Sequence, residues 1–358
     1  MSAPAVTPTA PDPSHALLHE ALSGRKLPRW APWASALGAI ALALVLAWLT
    51  PVSGRAGTLL VAALLFLAIL TGWSFSVEGR RHAKDRLATT LIYTSFVVAM
   101  IPLVAILVSV IAEGLKAFDV SFLTHSMRNV DPREHGGGIY HALIGTLEIV
   151  GIAALIGIPI GILVAIYLVE YGRGGRLARA ISFFVDVMTG VPSIVAGLFV
   201  YTGFVLTLGF ERSGFAGSLA LAILMIPVMV RSTEEMLKLV PNELRESSYA
   251  LGVPKYRTIL RVVLPTATSG IITGGMLAIA RVAGETAPLL LTTFLSQSIN
   301  FNPFTNPQAS LPTFVWDQIN TGTDASVARA WAGALVLILL VLLLSVAARL
   351  IAYFTRTK

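Results

Sequence analysis

STEEMLKLVPNELRESSYALGVPKYRTILRVVLP, Ser232 to Pro265, is a long polar stretch set between two apolar runs, and its punctuation decides what kind of chain surrounds it. Pro241, Gly252 and Pro254 divide it into helical pieces, because proline breaks the hydrogen-bond ladder and glycine reaches the left-handed backbone that ends a helix. The spacing predicts a helix running on to about Val240, then a short helix near Asn242 to Leu251 with Glu243 in its first turn. A further piece follows, with Tyr256, Ile259, Leu260 and Val263 on an apolar face and Lys255, Arg257 and Arg261 on a polar one. Gly252 suits a turn that needs positive φ. Such a helix, turn and helix, standing out from a membrane, is shaped to enter a groove on a soluble partner.

The flanks supply the membrane. Of 358 residues, 55% are hydrophobic and 13% charged, about half the charged share of a soluble domain. A spanning helix needs about 20 mainly apolar residues, and such runs centre on 31–50, 57–76, 87–112, 142–169, 180–208, 213–232, 266–295 and 327–353. The expected fold is therefore an all-α polytopic bundle of about eight spans, of which 213–232 is marginal in length, only 18 residues from Ser213 to Val230 being free of charge. With the N-terminus in the cytoplasm, 19 of the 26 Lys and Arg fall in inner segments, so the positive-inside rule places both termini inside. Residues 1–30, rich in Pro and Ala, read as a disordered cytoplasmic tail. Two outer loops, Gly114 to Tyr140 and Ser296 to Ser326, carry the Pro, Gly and Asn content of irregular surface structure.

Several chemistries are disfavoured. The chain has no cysteine, and its six histidines form no spaced pair with carboxylates, so no metal site is expected. The net charge of +7 lies in short clusters between apolar runs, unlike the basic stripe that binds nucleic acid. No GxxxxGK[ST] stretch and no nucleophile–base grouping occur, so the chain is not expected to be an enzyme or to hydrolyse ATP.

A second stretch, LAIARVAGETAPLLL, Leu277 to Leu291, places Arg281 and Glu285 inside an apolar run, where a charge costs roughly 2.5–3.5 kcal/mol on insertion scales. On a continuous helix Gly270, Gly274, Ala278, Arg281 and Glu285 fall within an arc of about 80°. Small residues spaced by four mark close helix packing, so both charges are expected to face protein or water, about 24 Å along the helix from Pro265 for Arg281. Two readings stand: a structural i, i+4 pair, or a site on a substrate route. In TGVPSIVAG, Thr189 to Gly197, Pro192 and Ser193 either line a cavity or mark a simple kink. Asp186 reads as an interfacial carboxylate in preference to a gate, and Glu148 as a side chain snorkelling to water.

RESSYALGVPKYRTILRVVLP resembles the coupling loop of ABC importer permeases: Glu246 stands at the motif's Glu, Ser247 and Ser248 where two Ala are usual, Gly252 six residues on, Val262 at the usual Ile, and Leu264 and Pro265 at its close. VAIYLVEYGRGG, GVPSIVAGLFVY, RSTEEMLKLVPNELRE and LAIARVAGETAPLL resemble in order the PstA family of phosphate-specific permeases. The resemblance covers about Leu87 to the C-terminus and implies a type I ABC importer permease core over 87–354, with the spans at 31–76 as additions to the family's six. It implies a site in the bacterial inner membrane and a substrate pathway through Arg281, Glu285, Ser193 and Thr286. It also implies coupling through Glu246, Ser247, Ser248, Gly252, Leu264 and Pro265, with Gly270 and Gly274 packing the helices. The implied partners are a homologous PstC-like permease, a PstB-like ATPase dimer that binds ATP and Mg, an external PstS-like phosphate-binding protein, and inorganic phosphate. A permease for another small anion or polar nutrient shares the loop, and a proton-coupled carrier using Glu285 would leave the loop unexplained.

Overall fold

The computed structural model describes residues 26–49, 55–172 and 174–356, and residues 1–25 of the expected tail lie outside them. Among the described residues the regular structure is helical throughout. Seven helices are long and apolar enough to cross a membrane, and a bent pair brings the number to eight.

The chain divides into two compact units, residues 1–106 and 107–358. In the first, α1 (Ala31–Leu49) packs on α2 (Arg55–Glu78), and α3 (Arg80–Gly114), which belongs to this unit as far as Ile106, follows after Gly79. Gly79 has φ +85°, which gives the reversal that a β-carbon would oppose. Residues 26–30, expected in the tail, belong to this unit: Leu27 is buried and its N–H donates to Glu78 Oε1 at 2.7 Å. Glu78 also accepts from Ser74 Oγ and from Arg86 Nε, which accounts for a buried carboxylate at the end of an apolar helix.

In the second unit, α4 (Val120–Thr124) precedes α5 (Tyr140–Ile166), which widens into a π turn at Tyr167–Tyr171. Then come α6 (Arg176–Thr189), α7 (Ser193–Val200, continued by a π turn to Thr207) and α8 (Gly214–Lys238). After these lie α9 (Asn242–Ala250), α10 (Lys255–Thr258, with a π turn to Val263), α11 (Leu264–Ala283), α12 (Ala287–Thr292), α13 (Leu311–Thr321) and α14 (Asp324–Arg356).

The span of marginal charge-free length, α8, is the most enclosed of the spanning helices. Its Gly, Ala and Ser content lowers hydropathy for the same reason that it permits close packing. A β-carbon on Gly157 would stand 3.2 Å from Met225 Cβ, and one on Gly161 2.6 Å from Met229 Cβ. Positions on α5 and α8 thus rise together, and the two helices run parallel. The chain between them must return across the bundle, and α6 with α7 makes that return, bent by 107°.

The single helix expected at 180–208 is therefore a broken span. Pro192 lacks an N–H and disfavours helical backbone at Val191, so α6 ends at Thr189 and a new helix starts at Ser193. The span expected at 266–295 is likewise broken, between Ala283 and Ala287. The outer loop expected to be irregular over Ser296 to Ser326 contains α13, started by a reciprocal Ser310–Thr313 capping box.

Gly145 tests the packing at the far end of α5. A β-carbon there would lie 2.0 Å from the Ala309 carbonyl oxygen, and backbone cannot rotate away as a side chain can. Gly145→Ala is expected to destabilise the protein by about 1–3 kcal/mol, read as a lowered melting temperature in detergent, with Gly151→Ala, where nothing stands within 4 Å, as the neutral control.

Candidate functional site

The polar loop expected to serve in coupling, Ser232 to Pro265, is anchored by a residue that the sequence reading did not single out. Arg245 donates to Glu170 Oε1 at 2.8 and 3.1 Å, to the Val240 carbonyl at 2.6 Å and to the Leu237 carbonyl at 2.9 Å. Only 12% of the Arg245 side chain and 5% of Glu170 is exposed. Lys255 Nζ donates to the Glu170 carbonyl and lies over the Tyr171 ring at 4.7 Å. The end of α5 is thereby tied to both halves of the loop. The signal in the sequence was Glu170 itself, a charge at the edge of an apolar run whose partner lies 75 positions away.

Within the loop, the expected helix limits hold: α8 ends at Lys238, α9 covers Asn242–Ala250, and Gly252 has φ +74°. Ser248 is buried and its Oγ meets Thr258 Oγ1 at 2.8 Å, which gives the hydroxyl its required partner, while Glu246 and Ser247 are exposed. Leu264 and Pro265 open α11, so the helix continues from the loop into the bundle.

The apolar face expected on the last piece divides. Ile259 and Val263 are buried, but Tyr256 and Leu260 are exposed, so the face splits lengthwise into two stripes of residues four apart, of which only one is covered. With Leu239 and Leu251, they leave exposed apolar side chains on the loop.

Gly252→Val should strain this turn without a clash, since nothing lies within 4 Å of the added β-carbon. Left-handed backbone in a branched residue costs about 1–2 kcal/mol. The expected outcome is weakened retention of the ATPase subunit during purification, measured as its stoichiometry in the complex. Full retention with normal uptake would remove Gly252 from the coupling role.

Higher in the bundle, Gly270 and Gly274 pack against α8 as expected: added β-carbons would stand 2.6 Å from Met236 Cγ and 2.7 Å from Ser232 Cβ. The arc does not extend to Glu285. Helix α11 ends at Ala283, Gly284 closes it, and the Glu285 N–H turns back to the Val282 carbonyl. Arg281 is exposed in this chain and Glu285 half-buried. Among the described residues neither makes an ion pair or a side-chain hydrogen bond, so the i, i+4 pair is not formed.

A groove of about 650 Å³ runs along α11 on the same exposed side, lined by Ser232, Thr266, Ser269, Thr273 and Leu277 and, from α14, Arg349. It ends one turn below Arg281. Ser193 and Thr286 start α7 and α12, and these helices meet backbone to backbone, with an added Gly197 β-carbon 2.5 Å from Pro288 Cα. The two helix breaks thus bring Ser193, Glu285 and Thr286 within about one turn of a shared contact. Asp186 pairs with Arg231, which also bonds Ser182 and Glu234 and so clasps α6 to α8. Glu148 accepts from Gln308 Nε2, which belongs to the loop before α13.

A bundle of helices of spanning length with a polar loop anchored at one end defines a multi-pass membrane protein. The chain belongs to the family described as binding-protein-dependent transport system inner membrane component, whose profile matches residues 157–356. It is 52% identical over 275 residues to the phosphate transport system permease protein PstA 1 of Mycobacterium tuberculosis, covering 76% of this chain and 89% of that protein. It is 42% identical over 271 residues to the phosphate transport system permease protein PstA of Yersinia pestis, with coverage of 76% and 90%.

Among solved structures, a bacterial alginate ABC transporter in complex with an alginate pentasaccharide-bound periplasmic protein superposes with a TM-score of 0.52 at 15% identity, covering 74% of this chain and 93% of that one. The inward-facing MetNI methionine ABC transporter gives 0.50 at 20% identity, with coverage of 61% and 94%. These likenesses establish the ABC importer permease fold. The protein is a multi-pass component of the bacterial inner membrane and works within an ABC transporter complex.

Proposed function

We propose that this chain is the PstA-type permease subunit of an ATP-driven phosphate importer. It forms the phosphate route together with a PstC-like permease, docks on a PstB-like ATPase dimer that holds ATP and Mg, and receives phosphate from a PstS-like binding protein. The similarity to PstA proteins over three quarters of the chain supports the substrate. The observation that carries the site is Arg281: a guanidinium at membrane depth, exposed on the chain and unpaired among the described residues. Such a charge is tolerated where it lines a watered cavity or meets a partner.

Its planar fork matches two phosphate oxygens. Glu285 can accept a hydrogen bond from the proton that phosphate keeps at neutral pH, whereas sulfate brings no proton and would meet repulsion without compensation. Ser193 and Thr286 supply hydroxyls at the starts of α7 and α12, helices that touch at Gly197 and Pro288. The coupling loop, with Glu246, Ser247, Ser248 and Gly252, transmits closure of the ATPase pair into α11 through Leu264 and Pro265, biasing two arrangements of the bundle.

Reconstituted vesicles decide the reading. With the assembled complex and binding protein, labelled phosphate should accumulate only when ATP is supplied to the ATPase side. Uptake driven by an imposed proton gradient without ATP would instead support the carrier reading.

A further inference from the structure

Arg329, near the start of α14, is only 4% exposed, yet no carboxylate among the described residues pairs with it. Its guanidinium is satisfied by carbonyl groups: Nε donates to Gln318 Oε1 at 2.8 Å, one terminal nitrogen to the Glu134 and Gly136 carbonyls at 2.7 and 3.2 Å, and the other to the Pro132 carbonyl at 3.0 Å. Thr323 Oγ1 donates to the same Pro132 carbonyl at 2.6 Å. A buried cation held by neutral carbonyl oxygens, three of them from the backbone of residues 132–136, is a demanding arrangement, and here it holds a loop that bears no spanning element.

The loop is also set from within. Asp131 Oδ1 accepts the Arg133 N–H at 2.8 Å, and Gly136 and Gly137 have φ of +149° and +74°. At its base a β-carbon on Gly138 would lie 2.4 Å from the Phe122 carbonyl oxygen. Its tip is different, because Arg133, Glu134 and His135 are exposed and their side chains bond to nothing in the described chain. A rigid backbone thus presents mixed charges outward. Helix α14 starts here and ends beside Met236 and Leu239 at the coupling-loop end, so the tip lies on the face of the bundle away from the ATPase.

We propose that residues 131–136 are a pre-organised docking surface for the transporter's soluble substrate-binding protein, with Arg329 as the positioning residue that fixes its shape. This rests on the importer reading above. A loop ordered before contact loses less freedom on docking, and mixed exposed charges select a partner of complementary pattern and make the encounter sensitive to salt.

The test uses the whole complex in lipid nanodiscs and follows ATP hydrolysis as the phosphate-loaded binding protein is titrated. Single charge reversals, Arg133→Glu and Glu134→Lys, should raise the half-saturating concentration of binding protein by about tenfold, as expected of like charges set against each other. Arg329→Gln should raise it similarly, because the loop loses its shape although the tip charges remain. A role in folding alone would lower the amount of complex or its maximal rate and leave half-saturation where it was. If Arg329→Gln does not assemble, the two tip variants carry the test. A stimulated wild type whose assembled variants keep its half-saturating concentration overturns the docking assignment alone. A wild type that no binding protein stimulates overturns the importer reading and this assignment with it.

Discussion

Arg245→Met is expected to detach the coupling loop from α5 at a cost of about 3–5 kcal/mol, the usual penalty for removing one partner of a buried ion pair. Glu170 would be left 5% exposed with no guanidinium opposite it, and the Leu237 and Val240 carbonyls would lose their donor. Limited proteolysis should then cut between α8 and α11, and the ATPase subunit should be lost during purification. Glu170→Leu combined with Arg245→Met should recover most of the loss, since an apolar pair of similar volume carries no unpaired charge. A loss below about 1 kcal/mol would mean that the pair behaves as a solvated surface bridge, and the anchoring role would fall.

Arg281→Lys is the second expected large effect. The positive charge stays, but a point ammonium cannot reproduce the two-pronged contact. Losing one charge-assisted hydrogen bond costs about 1.5–3 kcal/mol, so phosphate uptake per assembled complex should fall roughly tenfold to a hundredfold. Glu285→Gln should narrow the preference for phosphate over sulfate, because it removes the negative charge that penalises an anion without a proton. The exchange Arg281→Glu with Glu285→Arg should not rescue transport, since the two side chains are unpaired and stand on either side of the Gly284 helix end. If the exchanged chain transports phosphate as well as the original, the pathway role of Arg281 is wrong.

The candidate residues were legible to different degrees. Gly252 was legible because positive φ at a helix end is a local demand that few residues meet. Gly270 and Gly274 were legible because small residues four apart have few other uses in a spanning helix. The arc joining Arg281 to Glu285 was not, because it assumed that a helical period continues wherever the chain stays apolar. Gly284, followed by Thr286 and Pro288, ends that helix, and tertiary contact between α7 and α12 holds the break open. Tyr256 and Leu260 were placed on one apolar face with Ile259 and Val263, and packing divided that face, covering the stripe of 259 and 263 and leaving the stripe of 256 and 260 exposed.

Hydropathy by itself determined that this chain lives in a membrane and roughly how many times it crosses, because the transfer of a 20-residue run into hydrocarbon is a sum over its own side chains. The loop's helix limits followed from proline and glycine geometry, which is equally local. Only the tertiary structure decided that α6 and α7 form one bent return between parallel helices, that Arg245 meets Glu170, and that Arg329 holds residues 132–136 by their carbonyls. Each of these depends on groups far apart in the chain satisfying one another where water is excluded. A buried charge announces that it needs a partner, but which partner it has is settled by packing.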